Sequence, residues 1–192
     1  KLEEDLRSIV SEYSRLGYRD ARILDSNYVL NEDGTVSITI DLEEGNRYYF
    51  GDINFLGNKT YTDSYLSSIL GIDEGEVYNG EVLKERVVGD GTPDSQDIQT
   101  LYSNSGFLFA QVSPVETSVV NDTINVEIRI AEDEKATIKR VTVQGNDKTN
   151  DHVIVRSLFT RPGDLFSKQA IIRSIREIGQ TGFFDAENIV PD

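Results

Sequence analysis

The sequence predicts an α+β fold built from tandem units of the order β-α-α-β-β. Three observations carry this. Stretches of strand-like and helix-like periodicity follow one another in a fixed order. The order recurs with a period of 88 residues. Each second helix ends in a glycine followed by an aromatic residue.

The repeat is plainest at the first strand. Phe50, Ile53, Phe55, Gly57 and Asn58 fall on Ile138, Val141, Val143, Gly145 and Asn146, each 88 positions later. Gly75 and Tyr78 fall on Gly163 and Phe166, and Ile38, Ile40 and Leu42 on Val126, Ile128 and Ile130, at the same offset. Phe50, Ile53 and Phe55 alternate with one extra residue, which predicts a strand with a bulge, and Ile138, Val141 and Val143 repeat the slip. Gly-Asn ends that strand as a turn. A short helix follows, over Asp63–Leu70 and again over Asn150–Phe159. Thr62 or Asp63, and Asn150 or Asp151, are its N-cap candidates.

The second helix is clearest over Ser167–Gln180, where Ile171, Ile172, Ile175 and Ile178 share one face. An earlier copy covers Leu2–Tyr13. Gly17-Tyr18, Gly106-Phe107 and Gly182-Phe183 mark the ends of three such helices. A glycine there fits the left-handed helix cap, and the aromatic ring packs back on the helix. Two hairpins complete the pattern. Ala21–Leu30 and Val36–Leu42 join across Asn31–Gly34, and Gln111–Val119 and Ile124–Ile130 join across Asn121-Asp122. Residues 46–134 thus form a complete unit, 1–45 supply the α-β-β end of an earlier one, and 135–192 the β-α-α start of a later one. The end pieces pair between molecules or belong to a longer chain. The middle unit carries 12 extra residues between Gly75 and Gly106, with Gly89–Ser95 as a turn-rich loop before the helix resumes near Gln96.

Composition narrows the function. The 192 residues are 38% hydrophobic and 28% charged, which is globular. No apolar run approaches the roughly 20 residues of a bilayer-spanning helix. Without a signal peptide or any Met, the chain reads as an internal part of a longer protein. A net charge of −15 repels phosphate backbones and argues against a nucleic-acid partner. The absence of Cys excludes disulfides, thiolate catalysis and Cys-based zinc sites. His152 is the single His and forms no cluster. Neither a Gly-x-Ser-x-Gly elbow nor a phosphate loop is present. Asp90, Asp94 and Asp97 lack the spacing of a calcium loop and read as turn chemistry. The pairs Glu43-Glu44 and Glu132-Asp133 read as strand-end linkers rather than acid/base dyads. The expectation is no catalytic residue, no metal and no cofactor.

These elements resemble polypeptide-transport-associated (POTRA) domains. Asp73-Glu-Gly-Glu-Val-Tyr-Asn-Gly80 is similar to the penultimate such domain of a BamA-type outer-membrane assembly protein. Arg173-Ser-Ile-Arg-Glu-Ile-Gly-Gln-Thr-Gly-Phe-Phe-Asp185 is similar to the last one. The Gly89–Ser95 insertion departs from the pattern. The resemblance implies a three-stranded mixed sheet covered by two helices in each unit. It implies a periplasmic scaffold attached to a C-terminal membrane barrel, with unfolded outer-membrane proteins and accessory lipoproteins as partners. In such domains the strand after the helices is a sheet edge, to which a partner strand adds. The candidate edge residues are Arg22, Ile23 and Leu24, and Gln111, Val112, Ser113 and Val115. Pro114 supports an edge position, either as protection against aggregation or as part of a client-pairing edge. Two other classes fit: a POTRA region of another translocating barrel, such as two-partner secretion, and an enzyme on an α/β framework.

Overall fold

The computed structural model describes residues 2–90, 92, 94–146, 149–182, 184 and 189. In chain order the elements are α1 (Leu2–Arg15), β1 (Arg22–Leu30), β2 (Val36–Glu43), β3 (Tyr49–Leu56), α2 (Asp63–Leu70), α3 (Gly80–Val88), α4 (Ile98–Asn104), β4 (Gln111–Val120), β5 (Thr123–Ala131), α5 (Asp151–Val155) and α6 (Lys168–Gln180). The strands form a two-stranded sheet, β1-β2, and a three-stranded sheet in the order β3-β5-β4. Positions along β3 and β5 advance together. Tyr49 N–H donates to the Asp122 carbonyl, Asp52 N–H to the Asn125 side chain, and Gly57 lies against the Ile130 carbonyl. These strands are therefore parallel. β4 and β5 form a hairpin over Asn121 (φ 48°) and Asp122 (φ 62°), a left-handed pair that Asn and Asp tolerate. The sheet is mixed, and β5 is its central strand. Its Ile124, Val126, Ile128 and Ile130 are all buried, as the period of two requires.

The chain divides into two compact units. One comprises Lys1–Phe55, Gly71–Glu85 and Pro114–Ile128; the other comprises Leu56–Leu70, Arg86–Ser113 and Arg129–Asp192.

In the first unit, α1 runs one half-turn past the expected Tyr13 and closes at Gly17 (φ 98°). Tyr18 N–H returns to the Tyr13 carbonyl and Gly17 N–H to Ser14, the paired bonds of a glycine-ended helix. The Tyr13 and Tyr18 rings meet edge to face at 5.8 Å. β1 and β2 pair antiparallel from Arg22 opposite Glu43 to Leu30 opposite Val36, and the register skips Leu24. The Gly17 carbonyl accepts Tyr48 N–H at 2.8 Å, so the helix end of one repeat fixes the start of the next. Three further bonds lay Gly75–Tyr78 along β3: Tyr78 N–H to Tyr48, Phe50 N–H to Glu76 and Gly75 N–H to Phe50. The Phe50 and Tyr78 rings are buried there, 4.8 Å apart.

The second unit holds α2, with Leu66 and Leu70 buried, and α4, with Ile98 and Tyr102 buried. Asp97 caps α4 by accepting Thr100 N–H at 2.8 Å. Tyr102 meets Tyr61 and Phe107 edge to face at 5.2 and 5.7 Å. Gly106 (φ 97°) repeats the role of Gly17, and its carbonyl accepts Ala136 N–H at 2.8 Å. The three bonds that follow recur 88 residues on: Phe166 N–H to Ala136, Ile138 N–H to Asp164 and Gly163 N–H to Ile138.

Two expectations change. The strand through Ile138 and Val143 does not form; a single bridge, Thr137 to Leu165, stands in its place. A strand needs a ladder partner, and no counterpart of β5 exists for this stretch among the described residues. The helix expected over Asn150–Phe159 stops at Val155: the Ser157 and Leu158 N–H groups turn to carbonyls three residues back, and the Phe159 N–H goes to the Ser174 hydroxyl of α6 at 2.8 Å. The second helix of the middle repeat runs as α3 and, as expected of the insertion, resumes after it as α4, at Ile98 rather than Gln96. Gly91, Pro93 and Phe183 lie outside the described residues.

The parallel approach of β3 to β5 leaves no room at Gly57. Its φ is 93°, and a Cβ there would stand 2.0 Å from the Ile130 carbonyl oxygen. Gly57→Ala should lower stability by about 2 kcal/mol or more, seen as a lower urea midpoint; an unchanged midpoint would contradict the close approach.

Candidate functional site

Exposed backbone at a sheet edge is the feature on which a second strand can build. β4 lies at the end of the order β3-β5-β4 and is such an edge. β1 and β2, alone in their sheet, each have one. The structure places the expected residues unequally along these strands. On β1, Arg22 is exposed and engaged with Glu43 of β2, its Nη2 at 2.5 Å and its Nε at 2.7 Å from the same carboxylate oxygen. Ile23 is half-buried opposite Leu42. Leu24 is the bulged residue and is 60% exposed. On β4, Gln111 and Ser113 are exposed, Val112 is buried in the core, and Pro114 and Val115 are half-buried.

One further residue belongs to the start of β4. Gln99, in the first turn of α4, donates from its side-chain nitrogen to the Ala110 carbonyl at 2.6 Å. Its side-chain oxygen accepts the Val112 N–H at 3.0 Å. Gln99 was not among the expected residues, although a signal for it exists in the sequence. Counted back seven places from the glycines that end the helices, Val10 and Ile175 occupy its position in the other repeats. A polar residue where its counterparts are apolar marks a side chain with a polar partner.

Farther along β4, within the first unit, Glu116 is held from two sides. The Tyr78 hydroxyl donates to one of its oxygens at 2.5 Å, and Arg19 pairs with the other at 2.5 Å. Burial, with the Glu116 carboxylate beside it, pushes the Tyr78 hydroxyl pKa well above its usual value. Tyr78 is therefore a neutral donor at physiological pH.

The acidic pairs at the hairpin ends have a structural use. Glu44 accepts the Tyr13 hydroxyl at 3.0 Å, and Glu132, at the equivalent place in the next repeat, accepts the Tyr102 hydroxyl at 3.1 Å. Glu132 also accepts the Thr60 N–H at 2.7 Å and the Thr60 hydroxyl at 3.0 Å. Burial works to raise its pKa, yet these hydrogen bonds to the ionised form prevail and hold it below the usual carboxylate range. The three aspartates of the insertion serve separate ends. Asp90 folds back on Thr92, Asp94 pairs with Arg176 of α6, and Asp97 caps α4. Among the described residues no cluster of three or more His, Asp or Glu side chains fits a metal ion, and no helix is long and apolar enough to cross a membrane. An open depression of about 720 Å³ in the second unit is lined by residues including Arg156, Phe159, Arg161, Asp164 and Glu177.

Comparison with known proteins gives a consistent picture. The POTRA family, described as "Surface antigen variable number repeat", matches residues 1–45, 48–133 and 136–192. The chain is 29% identical over 184 residues to an outer membrane protein assembly factor BamA of Nitratidesulfovibrio vulgaris, covering 95% of this chain and 23% of that protein. It is 24% identical over 197 residues to a putative outer membrane protein assembly factor of Treponema pallidum, covering 100% and 22%. With BamA of Neisseria meningitidis serogroup B the identity is 25%, covering 96% and 23%. The chain thus spans less than a quarter of the length of these relatives. The crystal structure of Haemophilus influenzae BamA POTRA3-5 shares the fold, with a TM-score of 0.70 at 22% identity, over 96% of this chain and 70% of that one.

The Glu132 clasp makes stability depend on pH. Its carboxyl pKa is lower folded than unfolded, so its contribution is present above the unfolded value of about 4.3 and is lost as pH falls through the folded value. Glu132→Gln should cost about 1 kcal/mol at pH 7, a figure reduced for partial exposure. The gap between wild type and variant should close below about pH 4. Thermal unfolding of both proteins across pH 3–7 checks this; a constant gap would show that the ionised form is not the one favoured.

Proposed function

The chain belongs to the POTRA family, and from that premise we propose that it is a binding scaffold of outer-membrane protein assembly rather than an enzyme. It works at the periplasmic face of the outer membrane, next to an attached membrane barrel. Residues 46–134 form its complete unit, while 1–45 and 135–192 are parts of the flanking ones. Its clients are unfolded outer-membrane proteins, taken up by strand addition at the edges of β1 and β4, and accessory outer-membrane lipoproteins dock on the array. The relatives named as assembly factors support the pathway.

The observation that carries the mechanism is the terminal place of β4 in the sheet. Backbone pairing at an edge is nearly indifferent to side-chain identity, which suits a scaffold that takes many β-rich clients. Arg22, Ile23 and Leu24 on β1, with Gln111, Val112, Ser113 and Val115 on β4, are the residues next to which a client strand would lie.

The test is a titration of the isotope-labelled chain with an unfolded outer-membrane β-strand peptide, followed by backbone amide chemical shifts. Shifts should concentrate along β1 or β4, with half-saturation at or below about 1 mM. Shifts confined to other surfaces, or none at that concentration, would remove strand addition as the mechanism.

A further inference from the structure

Gln99 does more than tie a helix to a strand. Its two hydrogen bonds go to the Ala110 carbonyl and the Val112 N–H, the groups on either side of Gln111. A residue of a parallel neighbouring strand makes the same pair of bonds, one to the carbonyl before and one to the N–H after the residue it faces. The side-chain amide of Gln99 thus imitates the N–H and C=O of one residue of an added strand. Two residues farther on, Pro114 has no N–H to offer. The first part of β4 is therefore poor ground for an incoming strand.

The fold does not demand this amide. Val10 and Ile175 hold the same place in the other repeats and have no hydrogen-bonding side chain. Ala21 and Ile23, which correspond to Ala110 and Val112, have no such amide available from Val10.

We propose that Gln99 is a built-in plug that closes Ala110–Val112 to strand addition. This narrows the β4 edge proposed above: of its residues Gln111 and Val112 are closed, and an extended segment of an unfolded β-rich protein docks on Val115–Val120 and in one register only. This rests on the strand-addition reading of β4. The plug gives that edge a defined start, where an open edge would allow slippage and sheet-to-sheet aggregation.

The experiment compares the labelled wild-type chain with Gln99→Met, which keeps the length and helix preference of the side chain but neither hydrogen bond. Gln99→Glu, which keeps only the acceptor for Val112 N–H, is the second variant. Each is titrated with the unfolded outer-membrane β-strand peptide. In the wild type, β4 shifts should be confined to Val115–Val120. In Gln99→Met they should extend to Gln111 and Val112, with roughly three- to tenfold tighter binding from the two released groups. Gln99→Glu should fall between. A wild-type footprint that already includes Gln111 and Val112, or a variant with unchanged footprint and affinity, overturns the plug while strand addition stands. Absence of β4 shifts in all three proteins overturns the use of β4 as a docking edge, and the plug with it.

Discussion

The carbonyl groups of Gly17 and Gly106 fix where each repeat begins. Each glycine closes a helix in the left-handed conformation, and each carbonyl accepts the N–H that opens the next repeat, from Tyr48 and Ala136, both at 2.8 Å. The missing side chain matters as much as the backbone angle. A Cβ on Gly17 would stand 2.7 Å from Val77, and one on Gly106 would stand 3.3 Å from Leu165. Val77 and Leu165 are themselves equivalent positions, 88 apart. One local rule, a helix that must end in glycine, thus sets both the chain direction and the packing at each passage.

Around this backbone junction the two passages differ in chemistry. At the first, Asn79 caps α3 and donates to the Arg15 carbonyl, while Glu81 is held by Ser11 and Arg15. At the second, Asn104 accepts the Gln169 N–H, and Lys168 donates to Thr100. Each passage also carries an ion pair, Arg15 with Glu81 at the first and Arg176 with Asp94 at the second. The hydrogen bond from Ser11 and the Arg15 guanidinium hold the Glu81 pKa below its usual range. With both groups exposed, that pairing is sensitive to salt and contributes little to stability. The backbone bonds common to both passages are therefore the better candidates for what keeps the repeat regular.

A protein of small sheets must manage its edges, and this chain uses different devices on β1 and on β4. β1 carries a bulge at Leu24, which interrupts the ladder near its start. β4 carries a proline and the Gln99 amide. Its middle is anchored from the side-chain face by Tyr78 and Arg19 through Glu116. The overall charge of −15 adds general repulsion between molecules. Open edges and low aggregation are opposing demands, and these features interrupt the edges of β1 and β4.

Much of the fold was legible in the residue pattern because the determinants are local. α2 over Asp63–Leu70, and α6, expected over Ser167–Gln180 and found over Lys168–Gln180, follow from spacing. So do the Asn121-Asp122 turn and the glycine-ended helices, since each depends on neighbours a few residues away. The features that sequence did not yield depend on partners far along the chain. Ile138–Val143 has strand-like residues yet no strand, because a ladder needs a second strand. The α5 helix ends short of Phe159, whose N–H goes to Ser174, 15 residues on. The candidate site divides the same way. That β4 is an edge was readable from Pro114, whose ring removes a donor wherever it sits. That Gln99 covers Ala110 and Val112 was not, because only the turn from α4 into β4 brings a helix side chain beside a strand's backbone. Sequence alone thus determined the elements, their order and their repeat, through short-range sterics and periodicity. Tertiary structure decided which backbone groups remain open to a partner, because that depends on what folds back over them.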